Sequence, residues 1–197
     1  MITEIKPTSP TILSLLKTIE NKDFVNGEHS FAKNYDGLSY YDALMAAISD
    51  DTLFNHLDYD TPILKYKHNK ILGDTEGGKF FLESFQQLVE FDGFYTSGYI
   101  PKGFDRWHSD SDVTGYAILF SYSKDGNGYF KYKIPGSREI VTLVDEPGWM
   151  IRGMYYGNVE DSKLWHCVAS EGFRVTFILT FAAEDKYNTA VEILTRA

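Results

Sequence analysis

Residues 164–183 read LWHCVASEGFRVTFILTFAA, and the alternation that begins at Phe173 decides the fold. Phe173, Val175, Phe177, Leu179 and Phe181 fall on one face of an extended strand, while Arg174, Thr176, Ile178 and Thr180 fall on the other. Arg174 and Thr176 therefore point together. A buried, unpaired arginine is costly. A small anion gripped by the guanidinium fork and the Thr hydroxyl would resolve that cost, as would a salt bridge on an exposed sheet face.

Upstream of this strand, residues 94–100, 113–123, 128–134, 139–144 and 149–154 also read as strands. Turn signals separate them: KDGNG at 124–128, Pro135-Gly136 and Glu146-Pro147-Gly148. Short strands at this spacing predict a sandwich or jelly roll. The fold class expected is mainly β with flanking helices: a double-stranded β-helix (jelly-roll, cupin-like) core with N-terminal helices packed outside. One domain over 1–197 is expected, with a helical support region at about 1–91, the core at about 92–183 and a C-terminal helix at about 184–197. In the first region Ser9-Pro10 starts a helix carrying Ile12, Leu15, Leu16 and Ile19 at helical spacing. Ser39 caps a second, with Tyr41, Leu44, Met45 and Ile48, and Thr75 opens a third, with Phe81, Phe85 and Leu88. PILKYKHNKIL at 62–72 alternates weakly, as a strand does.

Composition narrows the class. The chain has 197 residues, 43% of them hydrophobic, enough for a substantial core. No apolar run approaches the roughly 18 residues of a membrane span. MITEIKPTSP lacks the basic start and apolar stretch of a signal peptide. The single Cys167 allows no intramolecular disulfide, so a cytoplasmic setting is expected. A net charge of −9 argues against a broad phosphate-binding surface.

The chemistry concentrates in RWHSDSD at 106–112 and in His166. In an extended segment His108 and Asp110 point the same way and can reach one metal ion. A His-x-Asp alone also fits a surface histidine beside a solvated carboxylate. Two histidines and one carboxylate occupy one face of an octahedral metal and leave the opposite face open, the ligand set of non-haem Fe(II) oxygenases. GDTEGGKF at 73–80 nearly fits a P-loop but ends in Phe where Ser or Thr must bind Mg²⁺. Cys167 reads as a buried thiol. His29, His56 and His68 have no ligand-like partners at useful spacing and read as solvated.

HSD at 108–110 followed by WHCVASEGFRVTF at 165–177 resembles the Fe(II)/2-oxoglutarate-dependent oxygenases, closest to the prolyl-4-hydroxylase-like branch. GNGYFKYK and DEPGWMIR resemble that family's hairpin and Pro-x-x-Gly turn. The resemblance implies Fe(II) bound by His108, Asp110 and His166. It implies Arg174 and Thr176 on the C5 carboxylate of the cosubstrate 2-oxoglutarate, with Tyr99 against it. O2 would be the second cosubstrate, succinate and CO2 the co-products, and hydroxylation of a peptide or small molecule the reaction. Asp110 favours hydroxylation over halogenation, because halogenases of the family keep that position small. A non-catalytic cupin-like protein, a 2-oxoglutarate-independent metalloenzyme and an AlkB-type nucleic-acid demethylase are the alternatives. The spacing around Tyr99 resembles the last of these, without its arginine-containing tail. Arg106, Trp107, Trp149, Arg152, Tyr155 and Tyr156 are candidates for the barrel mouth, and 154–164 for a loop over the site.

Overall fold

The computed structural model describes residues 2–24, 27–31, 68–110, 114–157 and 162–196, with the backbone alone described at 27–31, 68–74, 100–106 and 108. The helix expected over 39–48 lies outside these residues, as do most of the strand at 62–72, His56, the side chains of His29 and His68, and part of the 154–164 loop. In chain order the elements are β1 (Thr3–Glu4), α1 (Pro10–Glu20), β2 (Gly27–Phe31), β3 (His68–Thr75), α2 (Glu76–Gln86), β4 (Gly93–His108), β5 (Gly115–Ser123), β6 (Gly128–Lys133), β7 (Ile140–Val144), β8 (Gly148–Tyr156), β9 (His166–Ser170), β10 (Arg174–Phe181) and α3 (Glu184–Thr195). No helix among the described residues is long and apolar enough to cross a membrane.

All described strand pairings are antiparallel, in the order β1-β8-β5-β10-β4-β9-β6-β7, and the β2–β3 pair also joins β4. The long β4 makes this one path into two layers. Its first half, from Gly93 to Tyr99, pairs with β10. Its second half, from Gly103 to His108, pairs with β9 across a register shift. The strand thus passes from one layer to the other, and β6, β7 and β9 fold over β5, β8 and β10. Ala117, Leu119, Met154 and Tyr156 from one layer accordingly share a buried cluster with Phe130, Tyr132 and Val168 from the other. This is the jelly-roll arrangement, mainly β with flanking helices.

The helices cover the outer face. Phe81 and Phe85 of α2 stack on each other at 4.2 Å, and Phe81 lies 4.3 Å from Phe177 of β10, all three fully buried. Ile12, Leu16 and Ile19 of α1 join the same layer, and the Trp149 indole N–H donates to the Leu16 carbonyl at 3.2 Å. The near-P-loop turns out to be the start of α2. Thr75 Oγ1 accepts from the Gly78 amide at 3.0 Å, an N-cap. A Cβ on Gly77 would stand 2.2 Å from the Phe24 ring, so the first turn of α2 can lie on that ring only with glycine there.

Candidate active site inside the barrel

The inward face of the main layer carries two polar rungs. Register sets Ser123, Arg174 and Tyr99 side by side across β5, β10 and β4, then Ser121, Thr176 and Ser97 on the next rung. All six are buried. Arg174 is only 1% exposed, yet its cation is well satisfied. Nε donates to Asp145 Oδ2 at 2.8 Å, Nη1 to Thr176 Oγ1 at 2.6 Å and Nη2 to Ser121 Oγ at 3.0 Å. Its guanidinium carbon lies 5.7 Å from the Tyr99 ring centre. Asp145 follows β7 and reaches Arg174 only because the sheet folds over. Its amide donates to the Gly128 carbonyl at 2.9 Å, and a Cβ on Gly128 would come within 2.7 Å of its Oδ2. Gly128 therefore leaves the room in which this carboxylate sits.

A second arginine approaches the same carboxylate. Arg152, on β8, has its Nη1 at 3.5 Å from Asp145 Oδ1, long for a hydrogen bond. Neither atom has a hydrogen-bond partner. Burial lowers the Arg152 pKa, and Asp145 opposes that shift. Two guanidinium groups thus face one carboxylate, leaving this cluster with one positive charge.

The other pole is built by His166 and Asp110. β4 ends at His108, whose register partner across the ladder is His166. The side chain of His108 lies outside the described residues. Asp110 stands just beyond the strand, with Oδ2 at 3.7 Å from His166 Nε2. The imidazole is buried and lies parallel to Phe130 at 5.2 Å. Its Nδ1 is 3.0 Å from the Leu164 carbonyl. A carbonyl can only accept, so Nδ1 carries a proton and Nε2 is the ring nitrogen turned towards Asp110. A ring nitrogen and a carboxylate oxygen placed 3.7 Å apart are ligand types that one divalent cation could share. A ring nitrogen fixed by a backbone carbonyl is the usual support of a metal-binding histidine. Among the described residues no three His, Cys, Asp or Glu side chains form a metal-holding cluster. Tyr156 completes this pole. It is hydrogen-bonded to Asp110, and burial first, then the Asp110 charge, pushes its hydroxyl pKa well above the ordinary value. It therefore stays protonated and donates to the carboxylate.

No protein-family model and no curated protein matches the sequence. Solved structures resemble the fold. One is a Pseudomonas putida prolyl-4-hydroxylase, 14% identical over 88% of this chain and 100% of that one, with a TM-score of 0.43. Another is OsALKBH1, 12% identical over 91% of this chain and 97% of that one, with a TM-score of 0.45. A third is an oxidoreductase of the 2OG-Fe(II) oxygenase family from Burkholderia pseudomallei, 15% identical over 54% of this chain and 51% of that one, at 0.34.

Of the residues singled out from sequence, Arg174, Thr176 and Tyr99 meet at one pole, and Asp110 and His166 at the other. The two poles share the interior cluster of Tyr99, Phe130 and Tyr156, since both Phe130 and Tyr156 pack on His166. Cys167 is fully buried. Trp149 and Tyr155 do not belong to the site. Trp149 faces α1, and Tyr155 is 40% exposed and packs on Tyr116. Trp107 is buried, and the Arg106 side chain lies outside the described residues. Sequence reading missed Asp145 altogether and saw Arg152 only as a contact at the barrel mouth. A basic cleft of about 280 Å³, lined by Lys133, Arg138, Lys163 and Trp165 among others, lies nearby. Tyr132 pairs with His166 and faces inward, so Lys133, one residue on, belongs to the outer face. The cleft is therefore not part of the barrel interior.

Proposed function

We propose that this chain is an Fe(II)- and 2-oxoglutarate-dependent dioxygenase that hydroxylates a peptide or small-molecule substrate. The supporting observation is the pairing of two sites in one barrel. One is a buried histidine whose Nε2 stands 3.7 Å from the Asp110 carboxylate. The other is a buried cluster of Arg174, Arg152 and Asp145 with one positive charge to spare, suited to the far carboxylate of a dicarboxylic cosubstrate. A cupin-like binding protein or a metalloenzyme without 2-oxoglutarate has no need of the second site.

In this reading His166 and Asp110, with His108, hold the metal, and Arg174 and Thr176 hold the cosubstrate carboxylate. Bound Fe(II) supplies the redox chemistry by which O2 oxidises both 2-oxoglutarate, to succinate and CO2, and the substrate, which gains a hydroxyl group. The chain's own residues do the positioning. Leu164 fixes the His166 ring through Nδ1. The Tyr156 hydroxyl holds one side of Asp110. Asp145 sets the direction of the Arg174 fork through Nε. Tyr99, Phe130, Met154 and Leu164 keep water from the interior between the poles. The Asp110 side chain, 36% exposed, marks the side that opens to substrate.

The test is ¹³C-NMR detection of succinate made from labelled 2-oxoglutarate by wild-type protein with Fe(II) in air. Succinate from wild type and none from His166→Ala is the expected result. Equal succinate from both would remove the metal assignment.

A further inference from the structure

The carboxylate pocket holds a cation that its own hydrogen bonds leave unused. Arg174 spends three of its donors on Asp145, Thr176 and Ser121. Arg152, whose side chain is 8% exposed, has a buried Nη1 without any hydrogen-bond partner. Its other contact within the site is weak: Nη2 lies 3.6 Å from the Met150 sulfur. Glu4, its register partner on β1, is exposed and is the last of the influences on its pKa. A buried guanidinium donor held only by a 3.5 Å ion pair costs free energy that a closer acceptor on a ligand would recover. If Arg152 served only to neutralise Asp145, Arg174 would already suffice, and one carboxylate would not need two cations.

We propose that Arg152 is a second anion-binding residue of the cosubstrate pocket, with Asp145 as the fixed counter-ion that orients Arg174 and holds the pocket at one net positive charge. The ligand class is a dicarboxylate whose far carboxylate, carrying one negative charge, neutralises the cluster. The inference rests on the oxygenase reading above and adds to it a residue that reading does not use. It also gives Asp145 a role: with that carboxylate removed, two buried cations would face the ligand in a pocket of altered shape and charge.

The test uses the full chain loaded with Mn(II) and titrated with 2-oxoglutarate and, separately, with glutarate. Glutarate keeps both carboxylates but lacks the 2-oxo group, so it reports on the pocket without metal chelation. Arg152→Met should weaken binding of both about tenfold to a hundredfold, the range a hydrogen bond to a charged group carries. Its melting temperature without ligand should equal or exceed that of wild type, because an unsatisfied buried charge is gone. Wild-type affinity together with a lowered ligand-free melting temperature would make Arg152 a structural partner of Asp145 and overturn the proposal, leaving the oxygenase reading intact. Failure of wild type to bind either dicarboxylate would overturn both. Should Arg152→Met not fold, Arg152→Lys decides. It keeps the charge but loses the fork, so binding weaker than wild type supports the proposal and undiminished binding overturns it.

Discussion

The two faces of β5, β8 and β10 are made by the same strands and could hardly differ more. On the outer face Ile118, Phe120, Ile151, Val175 and Phe177 meet the helices in a dry aromatic layer. On the inner face, one residue along each strand, stand Ser121, Ser123, Arg152, Arg174 and Thr176. Both faces are buried, so burial does not tell fold from function here. What separates them is whether polar groups are present and whether they are all satisfied. The outer layer gains stability from apolar area and ring packing. The inner layer carries charge that needs partners, and it leaves Arg152 Nη1 and Asp145 Oδ1 without hydrogen bonds. A folded protein tolerates such groups where a ligand completes them.

The comparison breaks most sharply at His166. His166→Ala should abolish 2-oxoglutarate turnover and remove the rise in melting temperature on adding Mn(II). A variant that keeps both would separate His166 from the metal. Asp145→Ala comes next. It leaves two buried guanidinium groups without their carboxylate and should cost about 3–5 kcal/mol in urea unfolding, together with dicarboxylate binding. Phe177→Ala should cost a similar ~3–5 kcal/mol through the cavity it opens under α2, yet keep turnover per folded molecule. If it lost turnover while still folded, the two faces would not be independent.

Smaller effects sharpen the picture. The hydroxyl pKa of buried Tyr156 is raised on folding, so its contribution to stability is fully present below about pH 10 and is lost as pH rises towards the native value. The stability difference between wild type and Tyr156→Phe should therefore shrink in urea titrations carried from pH 8 to pH 11. A difference that grew with pH would contradict the buried, neutral hydroxyl. Thr75→Ala, which removes only the cap of α2, should cost about 1 kcal/mol and leave ligand binding alone.

Much of this was legible from the chain. Alternation from Phe173 to Phe181 put Phe177 and Arg174 on opposite faces, because a strand leaves no other choice. Ser9-Pro10 and Thr75 marked helix starts that local chemistry alone determines. β9 was not legible as a strand. HCVAS is buried at every position, so it has no alternation to read. β4 was read as ending near residue 100, since nothing in PKGFDRWH announces that the strand continues into the second layer. Asp145 was hidden for a related reason. Beside Glu146-Pro147-Gly148 it looks like one more turn residue, and only closure of the sheet brings it to Arg174, 29 positions on. Local pattern gave the faces; the partners across the barrel come from topology.

The most direct test of the central claim, that the inner face is an iron and 2-oxoglutarate site, is an anaerobic difference spectrum. Fe(II) is added first and 2-oxoglutarate second. The account predicts a weak visible charge-transfer band that develops only after the second addition, is absent in His166→Ala and persists in Phe177→Ala at temperatures where that variant is folded. No band in folded, iron-loaded wild type, or an equal band in His166→Ala, would contradict it.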